Sequence, residues 1–214
     1  MLNTPIKAGQ INNLTDARYF AAWGVKWLGF NLDFTSDESW SIARVKEIMD
    51  WVEGPIMVGE FGLQKTDEIQ AAAEFLKLDY LQLNNFATAE QAEALQHWKL
   101  MKEFVIDDLA QLNQLAEQLN SFEPFVEHFL LNFRKNNFTC QQLKAATHAD
   151  DVNTLLGEFG ESHSILLSID FEREDLSFVS AFAGFEVVGG VEEKVGYKSF
   201  DELDELFEVL ELND

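Results

Sequence analysis

Eight short apolar runs, each followed by a segment carrying helix signals, recur from one end of the chain to the other, and this alternation constrains the fold more than any other feature. They read PIKAGQI, WLGFNL, IMVGEF, YLQLNN, LMKEFVI, HFLLNF, SILLSI and FEVVGG. Runs that are apolar almost throughout need cover on both faces, as in a parallel sheet dressed with helices. Eight strand and helix units predict closure into an α/β (β/α)8 barrel, with parallel strands over residues 6–11, 27–32, 56–61, 80–85, 100–106, 128–133, 164–169 and 185–190. An open doubly wound sheet is the competing arrangement. No G-x-G-x-x-G fingerprint follows the first run, which weakens a dinucleotide-binding reading.

The intervening segments carry their own punctuation. LTDARYFAAWG closes on Gly24 and WSIARVKEIMDWVEGP on Gly54 and Pro55. Capping-box pairs are Thr88 with Gln91, Thr139 with Gln142, and Ser199 with Glu202. The longest connection, residues 134–163, is expected to hold the sixth helix and a loop. In the closing SFDELDELFEVLEL, Leu203, Leu206, Phe207 and Leu210 share one helical face. That is the pattern of a final helix packed on the barrel. With no linker or low-complexity tract, residues 1–214 read as one domain.

Charge narrows the partners. Fifteen Lys and Arg against 38 Asp and Glu give a net charge of -23, which repels nucleic acid phosphates and anionic membrane surfaces. The lone Cys140 cannot form an internal disulfide, and no metal-type Cys or His spacing accompanies it. No cofactor is expected. The N-terminal MLNTPIKAG lacks the pattern of a signal peptide, and no run approaches the about 20 apolar residues of a membrane span. A cytoplasmic location is expected.

Chemistry in such barrels sits at the C-terminal ends of the strands. There the sequence resembles phosphoribosylanthranilate isomerase, an enzyme family of tryptophan biosynthesis. KAGQINNLTDA is similar to the family's KICGITNLEDA, sharing Lys7, Ile11, Asn13, Leu14, Asp16 and Ala17. GVKWLGF, VGEFGLQ and LDYLQLNN are similar to GADALGF, VGVFVNQ and LDVVQLHG. FEVVGGVEEKVGYKSFDEL resembles VDVSSGVETSPGVKDPEKI, with Val187, Gly190, Val191, Glu192, Gly196 and Lys198 in step. The motifs fall in the family's order along nearly the whole chain.

The resemblance implies an Amadori rearrangement of an aminoaldose phosphate, with a strand-1 cysteine removing the sugar proton and a strand-6 aspartate protonating the ring oxygen. Here those positions hold Gly9 and Asn132. The family arginine that orients the anthranilate carboxylate matches Glu38, and the phosphate-cradling glycine pair of strand 7 matches Ile169 and Asp170. Gly189 and Gly190 keep a glycine turn on strand 8, and Gln82 and Asn84, ending strand 4, join the candidate ligand-facing residues.

Substitutes for the missing pair are sought among strand-end acids: Asp33, Asp107, Asp108, Asp170 and Glu172. His97, His128, His148 and His163 fall on helices or at strand starts, away from the expected site. Phe34, Phe61, Phe86, Phe133 and Phe171, with Asp33, Glu60, Asp107 and Asp170 among them, could suit a cationic ligand, although packing beneath helices accounts for Phe at such positions equally well. The expectation is a barrel that has lost the isomerase chemistry and binds a small molecule at its C-terminal face, or serves a protein partner or its own dimer. The alternative is an isomerase acting through displaced acid and base residues.

Overall fold

The structure, a computed structural model, describes residues 2, 4–33, 42–109, 112–146, 164–179, 182–189, 192–194 and 197–212. Eight parallel strands close into one barrel in sequential order: β1 (Ile6–Ile11), β2 (Trp27–Asn31), β3 (Ile56–Phe61), β4 (Tyr80–Leu83), β5 (Lys99–Val105), β6 (His128–Asn132), β7 (Ser164–Ser168) and β8 (Gly184–Val188). The register closes between Ile6–Gly9 of β1 and Phe185–Val188 of β8.

Helices follow the strands: α1 (Leu14–Trp23), α2 (Ile42–Met49), α3 (Thr66–Leu76), α4 (Ala89–Leu95), α5 (Leu112–Phe122), α6 (Cys140–Ala146), α7 (Leu176–Val179) and α8 (Asp201–Leu212). A short antiparallel pair, β9 (Glu192–Lys194) and β10 (Tyr197–Lys198), precedes α8. No helix among the described residues is long and apolar enough to cross a membrane.

Local chemistry sets the helix ends. Asn13 caps α1 by accepting from the Asp16 amide at 2.8 Å, and Gly24 ends it in the left-handed region at φ 74°. Thr139 and Gln142 form a reciprocal box, the Thr139 amide donating to Gln142 Oε1 and the Gln142 amide to Thr139 Oγ1. At α4 only half of the expected box forms. The Gln91 amide reaches Thr88, but its side chain donates instead to the Gln64 carbonyl.

Strand β4 is two residues shorter than the sequence suggests. Asn84 Oδ1 accepts from the amides of Phe86 and Ala87, and Asn85 Oδ1 from Val105, so both asparagines turn the chain out of the ladder. In α8, Phe207 and Leu210 are buried, with Leu203 and Leu206 packed on the core.

Strand parity divides the core in two. Ile6, Leu28, Phe61, Leu81, Leu100, Phe129, Ile165 and Phe185 belong to the large cluster under the helices. Trp27, Val58, Tyr80, Met101, Leu130 and Leu166 form a separate cluster that plugs the barrel interior.

Candidate functional site

Two residues beyond that apolar plug, each strand presents its next inward position at the C-terminal end, and these are Gly29, Glu60, Gln82, Glu103, Asn132 and Ser168. Lys7 and Gly9 of β1 and Glu186 of β8 complete the ring by the same parity. Every polar side chain in the ring is buried, Lys7 at 0% exposure and Glu103, Asn132 and Glu186 at 4%. A wholly polar layer on an apolar plug is costly unless its members satisfy one another.

Lys7 holds one half of the ring together. Its ammonium donates to Glu186 Oε1 at 2.6 Å and to Glu60 Oε1. The amide of Gln10 donates to Glu60 Oε2 at 3.1 Å, from a backbone at φ 55°. Two glycines make room for this cluster. A Cβ at Gly9 would overlap Glu186 Oε1, and one at Gly29 would overlap Glu60 Oε1. The carboxylate of Glu186 therefore occupies the space a side chain at Gly9 would need.

Electrostatics separate the two acids. For Glu186, burial opposes ionisation, but the Lys7 ammonium outweighs it and holds the carboxyl below its ordinary range. For Glu60, burial and the like charge of Glu186 outweigh Lys7 and push the carboxyl up. Lys7 is raised: the two carboxylates overcome its own burial. A pair of carboxyl groups driven apart in this way suits one to accept protons and the other to hold one.

Across the barrel, Glu103 of β5 accepts from Asn132 Nδ2 at 2.7 Å and pairs with Lys135 Nζ at 2.9 Å. Asn132 Oδ1 accepts from the Lys135 amide at 3.1 Å. The amide at position 132 is thus bonded directly to a carboxylate from the neighbouring strand. Gln82 lies in the same ring, with Oε1 buried and lacking a hydrogen-bond partner among the described residues. Asn84 lies beyond it, its side chain spent on the turn after β4.

The mouth beside β6 to β8 is less negative than a bare acid at position 170 suggests. Arg134, on the 3-10 turn Arg134–Asn136, donates from Nε to Asp170 Oδ1 at 2.8 Å and from Nη2 to the Ile169 carbonyl at 3.2 Å. Its Nη1 is buried without a partner among the described residues. Ile169 is fully buried in the outer core. Arg134, Asp170, Glu172, Val188 and Gly189 line a cavity of about 1070 Å³, closed on one side by α8 residues including Glu205.

Other expected residues lie apart from the ring. His128 sits at the start of β6, stacked on Tyr80 and edge-on to Trp27 at the far end of the barrel. Phe61 and Phe133 are buried in the outer core, Phe171 packs on Phe185, and Phe86 is exposed, so these rings do not converge on one ligand position. Asp107 accepts from Asn136 Nδ2 on the exposed rim. Glu38, Gly190, Phe34, His148 and His163 lie outside the described residues.

Sequence reasoning missed Glu103 and Glu186 and passed over the charge of Lys7. The signal was present. Lys7, Glu60, Glu103 and Glu186 interrupt otherwise apolar runs in the parity of the barrel interior, where an ionisable group needs a partner. No cluster of His, Cys, Asp and Glu among the described residues could hold a metal ion.

No family model matches the chain. It is 26% identical over 207 residues to the N-(5'-phosphoribosyl)anthranilate isomerase of Parabacteroides distasonis, covering 92% of this chain and 89% of that protein. The phosphoribosyl anthranilate isomerase of Thermus thermophilus has the same fold, with a TM-score of 0.75 at 22% identity, over 98% of this chain and 100% of that one. A phosphoribosyl anthranilate isomerase solved with reduced 1-(O-carboxyphenylamino)-1-deoxyribulose 5-phosphate gives a TM-score of 0.72 at 18% identity, over 97% and 98%. In sequence along most of its length, and in the closed barrel that its strands form, the chain is similar to phosphoribosylanthranilate isomerases.

Proposed function

We propose that the protein isomerises an aminoaldose phosphate of the phosphoribosylanthranilate type through carboxylates displaced from their usual strands, and that it is not a silenced barrel. One observation carries this reading: the Glu186 carboxylate stands in the space that a Gly9 side chain would fill, clamped by Lys7. The names of the relatives and the ligand of one solved neighbour support the substrate class.

The ring oxygen gains a proton as its bond to C1 breaks, and the amine lone pair forms an iminium. Glu186, kept ionised by Lys7, takes the proton from C2, and the C–H electron pair gives an enolamine. C1 then gains a proton while the enol hydroxyl loses one, leaving the aminoketose. Arg134, which lines the cavity beside β6 to β8, offers a cation to the phosphate or carboxylate of the substrate.

The test is turnover of N-(5'-phosphoribosyl)anthranilate by the purified protein, with growth of a tryptophan-requiring cell that lacks this isomerase as the second readout. Turnover that falls about 10² to 10⁴-fold in Glu186→Gln is expected. A folded protein with no turnover above the uncatalysed rate would overturn the reading and return a binding or partner role to first place.

A further inference from the structure

The base assigned to C2 is closed off from water, and this bears on where its proton goes next. Glu186 is 4% exposed, and Lys7, which donates to its Oε1 at 2.6 Å, is wholly buried. Ser168, inward on the neighbouring β7, is buried as well. Below them Trp27, Met101, Leu130 and Leu166 of the apolar plug are fully buried, which closes the approach from the N-terminal end of the barrel. Gly9, beside Glu186 on β1, has no side chain, and the carboxylate fills that space itself. The remaining approach is the C-terminal mouth, which bound substrate covers.

The rearrangement takes a hydrogen from C2 and delivers one to C1, the adjacent carbon of the same enolamine. A single carboxylate clamped beside the two carbons reaches both, and the bond from Lys7 to Oε1 keeps it from turning away. Burial favours the protonated form of Glu186, but the Lys7 ammonium outweighs it and holds the carboxyl below its ordinary range, so a proton taken from carbon is released promptly. Lys7, whose own burial is overcome by Glu186 and Glu60, stays protonated and has no lone pair with which to carry that proton off. In a site from which water is excluded, the base within reach is then C1 of the enolamine.

We infer that Glu186 returns to C1 the hydrogen it takes from C2, so that one substrate hydrogen moves between adjacent carbons without passing into water. This rests on the isomerase reading above. As the C2–H bond breaks, its electron pair forms the C1–C2 double bond, the iminium pair returns to nitrogen, and the proton sits on the Glu186 carboxyl. The enol O–H bond then breaks, its pair forms the C2 carbonyl, and its proton leaves to water at the mouth. The C1–C2 π pair takes the proton from Glu186 at C1. Glu186 ends ionised, as it began, and Lys7 keeps its charge throughout. Because the carboxylate lies on one face of the enolamine, the returned hydrogen enters only one of the two C1 positions.

The test follows the hydrogen itself. N-(5'-phosphoribosyl)anthranilate carrying deuterium at ribose C2 is converted by an excess of wild-type protein in ordinary water, and deuterium at C1 of the aminoketose is read by NMR and mass spectrometry after one turnover. At least about a third of the product molecules are expected to keep the label, all at one C1 position. An enolamine that is released and protonated by water keeps none. The labelled product, incubated alone for the same time, reports any exchange after release. In the residual turnover of Glu186→Gln, which has no carboxyl to carry the hydrogen, the label is expected to be lost.

The decisive readout is on the wild-type protein, so it stands whether or not the variant folds. Wild-type turnover that keeps less label than this at C1, with a product that does not exchange, overturns the inference and leaves the isomerase reading standing. Label spread over both C1 positions, or kept by Glu186→Gln to the wild-type extent, does the same. Absence of turnover in the wild-type protein overturns both.

Discussion

Replacing Lys7 with Met tests the energetics on which the whole site rests. The methionine has nearly the length of the lysine stem but removes the only cation that reaches both Glu60 and Glu186 among the described residues. At an effective dielectric near 20, unit charges about 3 Å apart attract by about 5 kcal/mol, part of which the burial of Lys7 at 0% exposure cancels. Removing one partner of a buried ion pair costs about 3 to 5 kcal/mol because a charge is left behind, and here two carboxylates are left.

In a chain of this size that corresponds to a melting midpoint lower by about 6 to 20 °C at pH 8. The penalty has a pH signature. In the wild-type protein Glu186 is held low, so its contribution is present above the unfolded carboxyl range and is lost as pH falls through its folded value. Without Lys7 both folded carboxyl groups are raised, the folded state binds protons that the unfolded chain has released, and stability falls as pH rises above about 4.3.

The difference between variant and wild type should therefore be larger at pH 8 than at pH 5. Melts followed by circular dichroism at both pH values measure it. Midpoints within 2 °C of each other at pH 8, or a penalty equal at the two pH values, would refute the account of a charge cluster sustained by one lysine.

Three further outcomes follow from the packing and charges of the barrel. Gly9→Cys, which introduces the residue type that the resemblance expects there, must expel the Glu186 carboxylate from its place, so it is expected to lower stability by about 1 to 3 kcal/mol in denaturant titration and to leave isomerase turnover no higher than wild type. His128, which burial and then the Lys26 charge bring down to about 4, should titrate there by NMR. Its folded value lies below the unfolded one, so acid favours the unfolded chain, and about 2 to 3 kcal/mol of stability is lost between about pH 6.5 and 4. Cys140, buried at the start of α6, has its thiol pushed up to about 11 by burial and by Asp175; a thiol reagent at pH 8 should modify it only at the rate of unfolding.

The barrel was legible in the sequence because its signals are local. Apolar runs, Asn13, Gly24 and the Thr139–Gln142 box act within a few residues of themselves, so strand order and most helix ends could be read directly. Where the reading erred, a side chain competed with the ladder, as Asn84 and Asn85 do at the end of β4. The glycine at position 9 and the amide at position 132 were equally plain, and taken one position at a time the resemblance reads them as a loss of chemistry.

Only closure of the barrel supplies the rest. Position 9 and position 186 lie 177 residues apart in the chain but are inward neighbours across the β1–β8 seam, and Glu103 and Asn132 meet across β5 and β6. A glycine on one strand and a long acid on another are separate facts in a linear sequence. They become neighbours because strand parity turns both inward, where the Glu186 carboxylate takes the space a Gly9 side chain would need. Sequence determined the scaffold and the residue types at each strand end, whereas tertiary packing decided which distant carboxylates meet in the inward ring.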